Sequence, residues 1–335
     1  MPDGAWDDVE LQRVATLYYV NEETMDAIAL RTGVSRSTVS RQLKAARQRG
    51  IVRIQVASDG PDSGIGGQLS DRFGVSVHVV PVRESASESQ RLGQVARVAG
   101  RMLSEWIGND QILGLAWGTT VSTVMDHLLP KPTRGATVVQ LNGALHATSS
   151  EVLYLTDLLG RACNAFEARP VFFPVPAFFD DPATKAALWR ERSIARVVEL
   201  QRSCDIAVFG VGSWTGIVTS LVYTGGYLSD ADMAGLQSAG AVGDVCTTFY
   251  RIDGSSTDLA INARGSGPPL AQLAAVPRRL CVVAGAGRVP GTLGALRAGV
   301  VGDLVIDEQT ATVLLDAGSR RVRRLPPGHR QHRGR

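Results

Sequence analysis

The chain has 335 residues, 44% of them apolar, enough for one small domain and one large one, each with its own core. No apolar run approaches the roughly 18 residues of a membrane-spanning helix, and the acidic opening MPDGAWDDVE lacks the layout of a signal peptide, so a cytoplasmic location without membrane contact is expected. The net charge is only +3, and the four cysteines (Cys163, Cys204, Cys246 and Cys281) lie at least 35 residues apart, outside any CxxC pair or Cys/His cluster, so free thiols and neither metal nor cofactor are expected.

The distribution of charge says more than its sum. Seven acidic residues fall within the first 26 positions. From Ala27 to Ser58 there are none, while seven basic residues occur there: Arg31, Arg36, Arg41, Lys44, Arg47, Arg49 and Arg53. A further seven arginines follow position 318. An acid-free basic stretch within an ordered pattern fits a nucleic-acid surface.

The first 56 residues predict three helices. Over Asp8–Val20, the residues Val9, Val14, Leu17 and Tyr18 share a face. Thr24 can cap a second helix, Met25–Arg31, with Ile28 and Leu30 directed to a core; Gly33 then supplies a tight turn. Ser35 can cap a third helix, Arg36 to about Gln48, with Val39 and Leu43 inward and Gly50 closing it. Helix, glycine turn and Ser-capped basic helix is the layout of a DNA-reading helix-turn-helix. Arg36 and Ser37, in the first turn, can reach base edges; Thr38, Ser40, Arg41, Lys44 and Arg47 continue the outer, DNA-facing side, with the last three directed to phosphates. The competing reading is a three-helix protein-interaction module with a charged face. The segment LYYVNEETMDAIALRTGVSRSTVSRQLKAARQRGIVRIQV resembles, without a gap, the N-terminal domain of SorC-type sugar-binding bacterial transcriptional regulators. Ile51–Val56 alternates as a short strand would.

Residues 57–67, ASDGPDSGIGG, read as a linker. The pattern then changes to apolar runs alternating with helical segments up to about residue 318. Strands are predicted at Val75–Val82, Gln111–Ala116, Ala136–Leu141, Arg169–Phe173, Asp205–Phe209, Leu280–Ala284 and Asp303–Ile306. Helices are predicted at Glu88–Ile107, Val121–Leu129, Glu151–Cys163, Pro182–Gln201, Asp230–Ser238 and Leu293–Ala298. The βα alternation predicts a large doubly wound, mostly parallel α/β domain over 68–318, behind the all-α head. Residues 319–335 offer almost nothing to bury and are expected to form a disordered basic tail.

Ligands of such sheets sit on loops leaving the carboxyl ends of strands. Three loops qualify. In GLAWGTTV, Trp117 and Gly118 lead to the hydroxyls of Thr119 and Thr120. FGVGSWTG repeats the logic with Gly212 and Ser213, and VVAGAGRVPG adds Arg288 as a phosphate partner. Each alone is equally a tight turn. The SorC resemblance extends over these landmarks and over VVQLNGAL, DIAVFGVGS, AVGDVCTTFYRIDG and AGVVGDLVIDEQTA. It implies a sugar-binding domain similar in fold to ribose-phosphate isomerases and aminosugar-phosphate deaminases. Trp117 to Thr120 would hold the ligand's phosphate or terminal hydroxyls, with Gln140, Asn142, the Gly212–Ser213 loop and the Gly243–Asp244 segment around the same pocket. Two positions depart from the family. Relatives often carry AGGxxK where this chain has Ala284-Gly285-Ala286-Gly287-Arg288-Val289, and a Gly followed by a polar or charged residue where it has Thr247–Thr248. Both departures leave an unphosphorylated or unusual polyol open as the effector.

Other candidates carry less. His78 and His127 stand isolated, and His146 lies nearer the pocket segments; VFFPVPAFF at 171–179 reads as strand and Pro-shaped loop. The expectation is therefore a non-enzymatic, ligand-controlled regulator of a carbohydrate operon, binding double-stranded operator DNA as a dimer or tetramer. The alternatives are a sugar-phosphate isomerase or deaminase with an added domain, for which no acid/base pair is evident, and a constitutive DNA-binding protein whose large domain serves assembly alone.

Overall fold

Three capped helices followed by a glycine-punctuated series of apolar runs become, in the computed structural model, two units, Met1–Gly60 and Pro61–Arg335. The structure describes residues 6–52, 64–144, 150–214 and 220–319.

The first unit contains α1 (Asp8–Tyr19), α2 (Met25–Thr32) and α3 (Arg36–Gln48). Each begins on a side-chain cap: Asp7, Thr24 and Ser35 accept from the backbone of Glu10, Ala27 and Thr38. Gly33, at φ +70°, ends α2 in the left-handed conformation a side chain would resist. The core is Leu11, Val14, Leu17, Ile28, Val39, Leu43 and Ala46. Two expected core residues point outward instead, Val9 (74% exposed) and Leu30 (88%). Each lies two positions from a buried residue, Leu11 and Ile28, and residues two apart on a helix do not share a face. Ile51 and Val52 pack on this core and form no strand; the remainder of that expected strand, 53–56, lies outside the described residues.

The second unit opens with α4 (Ile65–Phe73), which begins inside the stretch expected to be linker, of which residues 57–63 are not described. All seven expected strands are present: β1 (Ser76–Val80), β2 (Ile112–Leu115), β3 (Thr137–Gln140), β4 (Arg169–Val171), β5 (Ile206–Gly210), β8 (Arg278–Val283) and β9 (Asp303–Asp307). They form one sheet in the order β1-β9-β8-β5-β2-β3-β4 with every pairing parallel. The central strands β5, β8 and β9 are almost continuous buried Val, Ile, Leu and Phe, as required where both faces are covered. Pro170 sits in β4, an edge strand, where its missing N–H costs no ladder bond.

The connecting helices are α5 (Glu88–Trp106), α6 (Thr119–Met125), α7 (Ser150–Phe166), α8 (Pro182–Leu188), α9 (Arg192–Arg202), α10 (Leu221–Thr224), α11 (Asp230–Ser238), α12 (Leu270–Ala274), α13 (Val289–Arg297) and α14 (Glu308–Ser319). The expected helix Pro182–Gln201 is two, interrupted at Trp189–Glu191. An antiparallel hairpin, β6 (Ala241–Val245) with β7 (Thr248–Arg251), stands apart from the main sheet. Residues 320–335, most of the expected tail, lie outside the described residues.

The strand order fixes where a ligand can enter. From β2 the chain proceeds outward to β3 and β4, whereas from β5 it proceeds the opposite way to β8 and β9. The crevice between the carboxyl ends of β2 and β5 is thus the topological switch point.

Candidate functional site

β2 delivers Ala116 to Gly118 to that crevice, and β5 delivers Val211 and Gly212. Gly118, at φ +137°, turns the chain into α6 without a side-chain cap, and its N–H donates to the Tyr154 hydroxyl at 3.2 Å. A Cβ here would meet nothing within 4 Å, so glycine is required by the backbone angle and not by space. Trp117 donates from Nε1 to Gly143 O at 2.8 Å, and its ring lies 5.2 Å from that of Tyr227, so it acts as a braced wall.

The opposite wall comes from the hairpin. Gly212 and Asp244 exchange backbone hydrogen bonds, and a Cβ on Gly212 would fall 1.9 Å from Asp244 Oδ1. Asp244 is buried; its Oδ1 accepts from the Tyr223 hydroxyl at 2.7 Å and its Oδ2 from Thr247 N–H at 3.1 Å. Burial pushes its carboxyl up to about 6, against the opposing pull of the two hydrogen bonds and of nearby Arg288. Arg288 donates to Val211 O at 2.7 Å, and burial lowers its own pKa. The next two residues of the hairpin, Cys246 (φ +49°) and Thr247 (φ +62°), form a two-residue turn with both φ positive and no glycine.

Together these groups enclose a cavity lined by Trp117, Gly118, Thr119, Thr120, Asn142, Gly212, Asp244 and Arg288, among others. Three residues expected around the pocket do not line it: Gly243, which packs against the Gly212 carbonyl, Gln140 and Ser213. Gln140 donates to Asn142 O and accepts from Phe173 N–H, so its amide braces the pocket loop from behind. Ser213 donates to Gly287 O at 3.0 Å, tying the second loop to the third. Conversely, Thr247, Cys246 and the stretch Ser220–Val222 line the cavity without having been singled out as ligand residues. Tyr223, which fixes Asp244, was also missed; only its place beside the Gly212 loop hinted at it. His78 Nε2 faces Asp303 at 3.4 Å, away from the cavity lining, and His146 is not described.

Asp244 and Arg288 are engaged with the protein. Asn142, 2% exposed, has a buried Oδ1 that accepts no hydrogen bond among the described residues. The cavity volume is about 50 Å³, room for about one or two waters.

On the first unit, Arg36, Ser37, Ser40, Arg41, Lys44 and Arg47 are exposed along α3 and Thr38 is half-buried. Arg36 lies 3.5 Å from Asp26, and the Ser35 hydroxyl is within hydrogen-bond reach of Ser37 and Thr38. Arg41 contacts Thr38 and stands over the Trp6 ring. Two basic residues of the acid-free stretch serve the fold instead: Arg31 pairs with Glu23, and Arg49 with Asp8 and the Trp6 carbonyl. Lys44 and Arg47 have no ion-pair partner among the described residues, which leaves them available to phosphates.

A capped trihelical head with a basic third helix, joined to a parallel sheet with a polar switch-point cavity, defines a ligand-sensing transcription regulator. Comparison with known proteins gives the family. The family model "Putative sugar-binding domain" matches residues 62–316. The deoxyribonucleoside regulator of Bacillus subtilis (strain 168) is 31% identical over 306 residues, covering 90% of this chain and 96% of the relative. The crystallised domain of "a possible sugar-binding transcriptional regulator" from Arthrobacter aurescens TC1 shares 42% identity at a TM-score of 0.71, over 78% of this chain and all of that one. The full-length sorbitol operon regulator of Klebsiella pneumoniae shares the fold, with a TM-score of 0.71 at 23% identity, over 92% of this chain and 99% of that one. The chain belongs to the SorC family of sugar-binding transcriptional regulators.

Proposed function

We propose that this regulator reads operator DNA through α3 and that a sugar, polyol or sugar phosphate in the switch-point cavity controls that binding, with no reaction catalysed. Asn142 is the observation that carries it. A buried amide oxygen without a donor costs about 1–3 kcal/mol, and a ligand hydroxyl donating to Asn142 Oδ1 removes that cost. Thr119 and Thr120 offer further hydroxyls from the same wall, Asp244 an acceptor and Arg288 a cation. The class of ligand agrees with the relatives, one a deoxyribonucleoside regulator and one a sorbitol operon regulator.

Catalysis is disfavoured by the same geometry. An isomerase needs a poised acid/base pair, whereas among the described residues Asp244 is the only carboxylate on the cavity lining and each of its oxygens already accepts a hydrogen bond. On α3, Arg36 and Ser37 read base edges while Arg41, Lys44 and Arg47 hold phosphates. Such a regulator works in the cytoplasm, as a symmetric assembly on its operator.

The test is a screen of sugars, polyols and their phosphates for thermal stabilisation of the full chain, followed by operator binding measured by fluorescence anisotropy. Asn142→Ala and Thr120→Ala should each weaken the ligand response by about 1–3 kcal/mol while ligand-free operator binding stays as in the wild type. If no compound stabilises the protein, or both variants respond as the wild type does, the cavity is not the sensor.

A further inference from the structure

A second concavity, of about 370 Å³, shares a wall with the first. Thr247 lines one and Thr248 the other. Gln201 lines the second and donates to Gln140 O, while Ser266, also on its lining, accepts from Gly143 N–H beside Asn142. Its volume falls in the range of about 300–1,000 Å³ usual for small-molecule sites.

Its charge is one-sided. Among the described residues, Lys185 of α8 and Arg202 of α9 are the only charged residues on the lining, with no Asp or Glu beside them. Lys185 is half-buried, with its Nζ 5.4 Å from the centre of the Trp189 ring. Neither side chain has an ion pair or hydrogen bond among the described residues; Lys185 is half-buried and Arg202 is exposed at the rim. Partial burial lowers the Lys185 pKa by desolvating the ammonium. Gln272 and Ser256 add polar side chains to a lining that also includes Val198, Pro268, Pro269 and Leu270, while the Asn262 amide is engaged with the backbone of Phe249 and Ser256.

We propose that this concavity is a second ligand site, one that takes a phosphoryl dianion between Lys185 and Arg202. Two positive charges match the dianion. The lysine supplies a point charge, the guanidinium a bidentate fork, and Gln272 beside them suits a polar remainder of a phosphorylated metabolite. The assignment does not depend on which ligand occupies the switch-point cavity.

The experiment follows the melting of the purified full chain against inorganic phosphate, with ionic strength held constant by sodium chloride. Phosphate should stabilise the wild type saturably. Lys185→Gln and Arg202→Gln should each lower the phosphate affinity by about tenfold or more, the loss expected for one charged hydrogen bond. Lys185→Arg should keep the response, separating charge from packing against Trp189, and Thr120→Val, on the other cavity, should leave it unchanged. If stabilisation survives both glutamine variants but disappears in Thr120→Val, phosphate occupies the switch-point cavity and the proposal fails. It fails equally if the wild type shows no response, or if a non-saturating response common to every variant reveals a general salt effect.

Discussion

Thr247 shows how much the pocket depends on a single backbone choice. A β-branched residue at φ +62° is an outlier, held here by its N–H to Asp244 Oδ2 and by its hydroxyl, which donates to Cys246 O at 2.6 Å. Backbone outliers of this kind collect at ligand sites because the surrounding structure has to impose them. The consequence is testable by comparing two substitutions that both lose the hydroxyl. Alanine retains the left-handed penalty and glycine does not, so Thr247→Gly should be more stable than Thr247→Ala by roughly 1 kcal/mol, the reverse of their order at an ordinary strand or helix position. Urea midpoints for the two variants check this. Alanine proving the more stable would mean that residue 247 does not occupy the left-handed region. The turn also explains a gap in the sequence reading. Two-residue hairpins with both φ positive normally announce themselves by Asn-Gly or Asp-Gly; Cys246-Thr247 gives no such signal, so the sequence does not announce β6 and β7, and Asp244 within β6 is singled out by family likeness alone.

At the level of elements, what was legible had a local cause. The inner strands β2, β3, β5, β8 and β9 are short, mainly apolar runs largely buried on both faces, and a run of that kind between glycine-rich loops has few other readings. The caps Thr24 and Ser35 likewise placed α2 and α3 to within a residue. Helix starts were harder wherever the opening turn contained residues that also break helices. α13 begins at Val289, four positions before the expected start, because Pro290 is tolerated in a first turn where its missing N–H is not needed. α14 was missed altogether, although Asp307 accepts from Thr310 N–H as a buried cap. The element with the most direct functional consequence is α3, whose first turn and last turns should behave differently on DNA. Arg36→Ala should relax preference at one or two operator positions, at about 1–3 kcal/mol for a bidentate base contact. Arg47→Ala should weaken all DNA alike and reduce the salt slope by about 1. Competition binding against randomised operator variants at several salt concentrations separates the two. Should Arg36→Ala leave the sequence preference intact, α3 docks in a different register.

For the whole molecule, the loops of the pocket could be picked out from sequence one by one, but their meeting could not. It follows from the strand order β8-β5-β2-β3, and no residue of β2 or β5 records which strand will lie beside it. The order matters because it brings Trp117–Thr120 against Gly212 and, through the hairpin, against Asp244. The same scale governs specificity on DNA. One helix-turn-helix reads only a few base pairs, and useful discrimination comes from two half-sites held by a symmetric assembly. The three-helix unit spends its small core on its own packing, with Leu11, Val14, Leu17, Ile28, Val39 and Leu43 all buried within it. We propose that the second unit, whose counterpart from Arthrobacter aurescens crystallises as a separate domain, carries such an assembly. A fragment lacking residues 1–56 should accordingly remain a dimer or tetramer at micromolar concentration, measured by light scattering, while losing operator binding. A monomeric fragment from an oligomeric parent would assign assembly to the head instead, and an effector in the switch-point cavity would then have to act on DNA affinity without changing the spacing of paired half-sites.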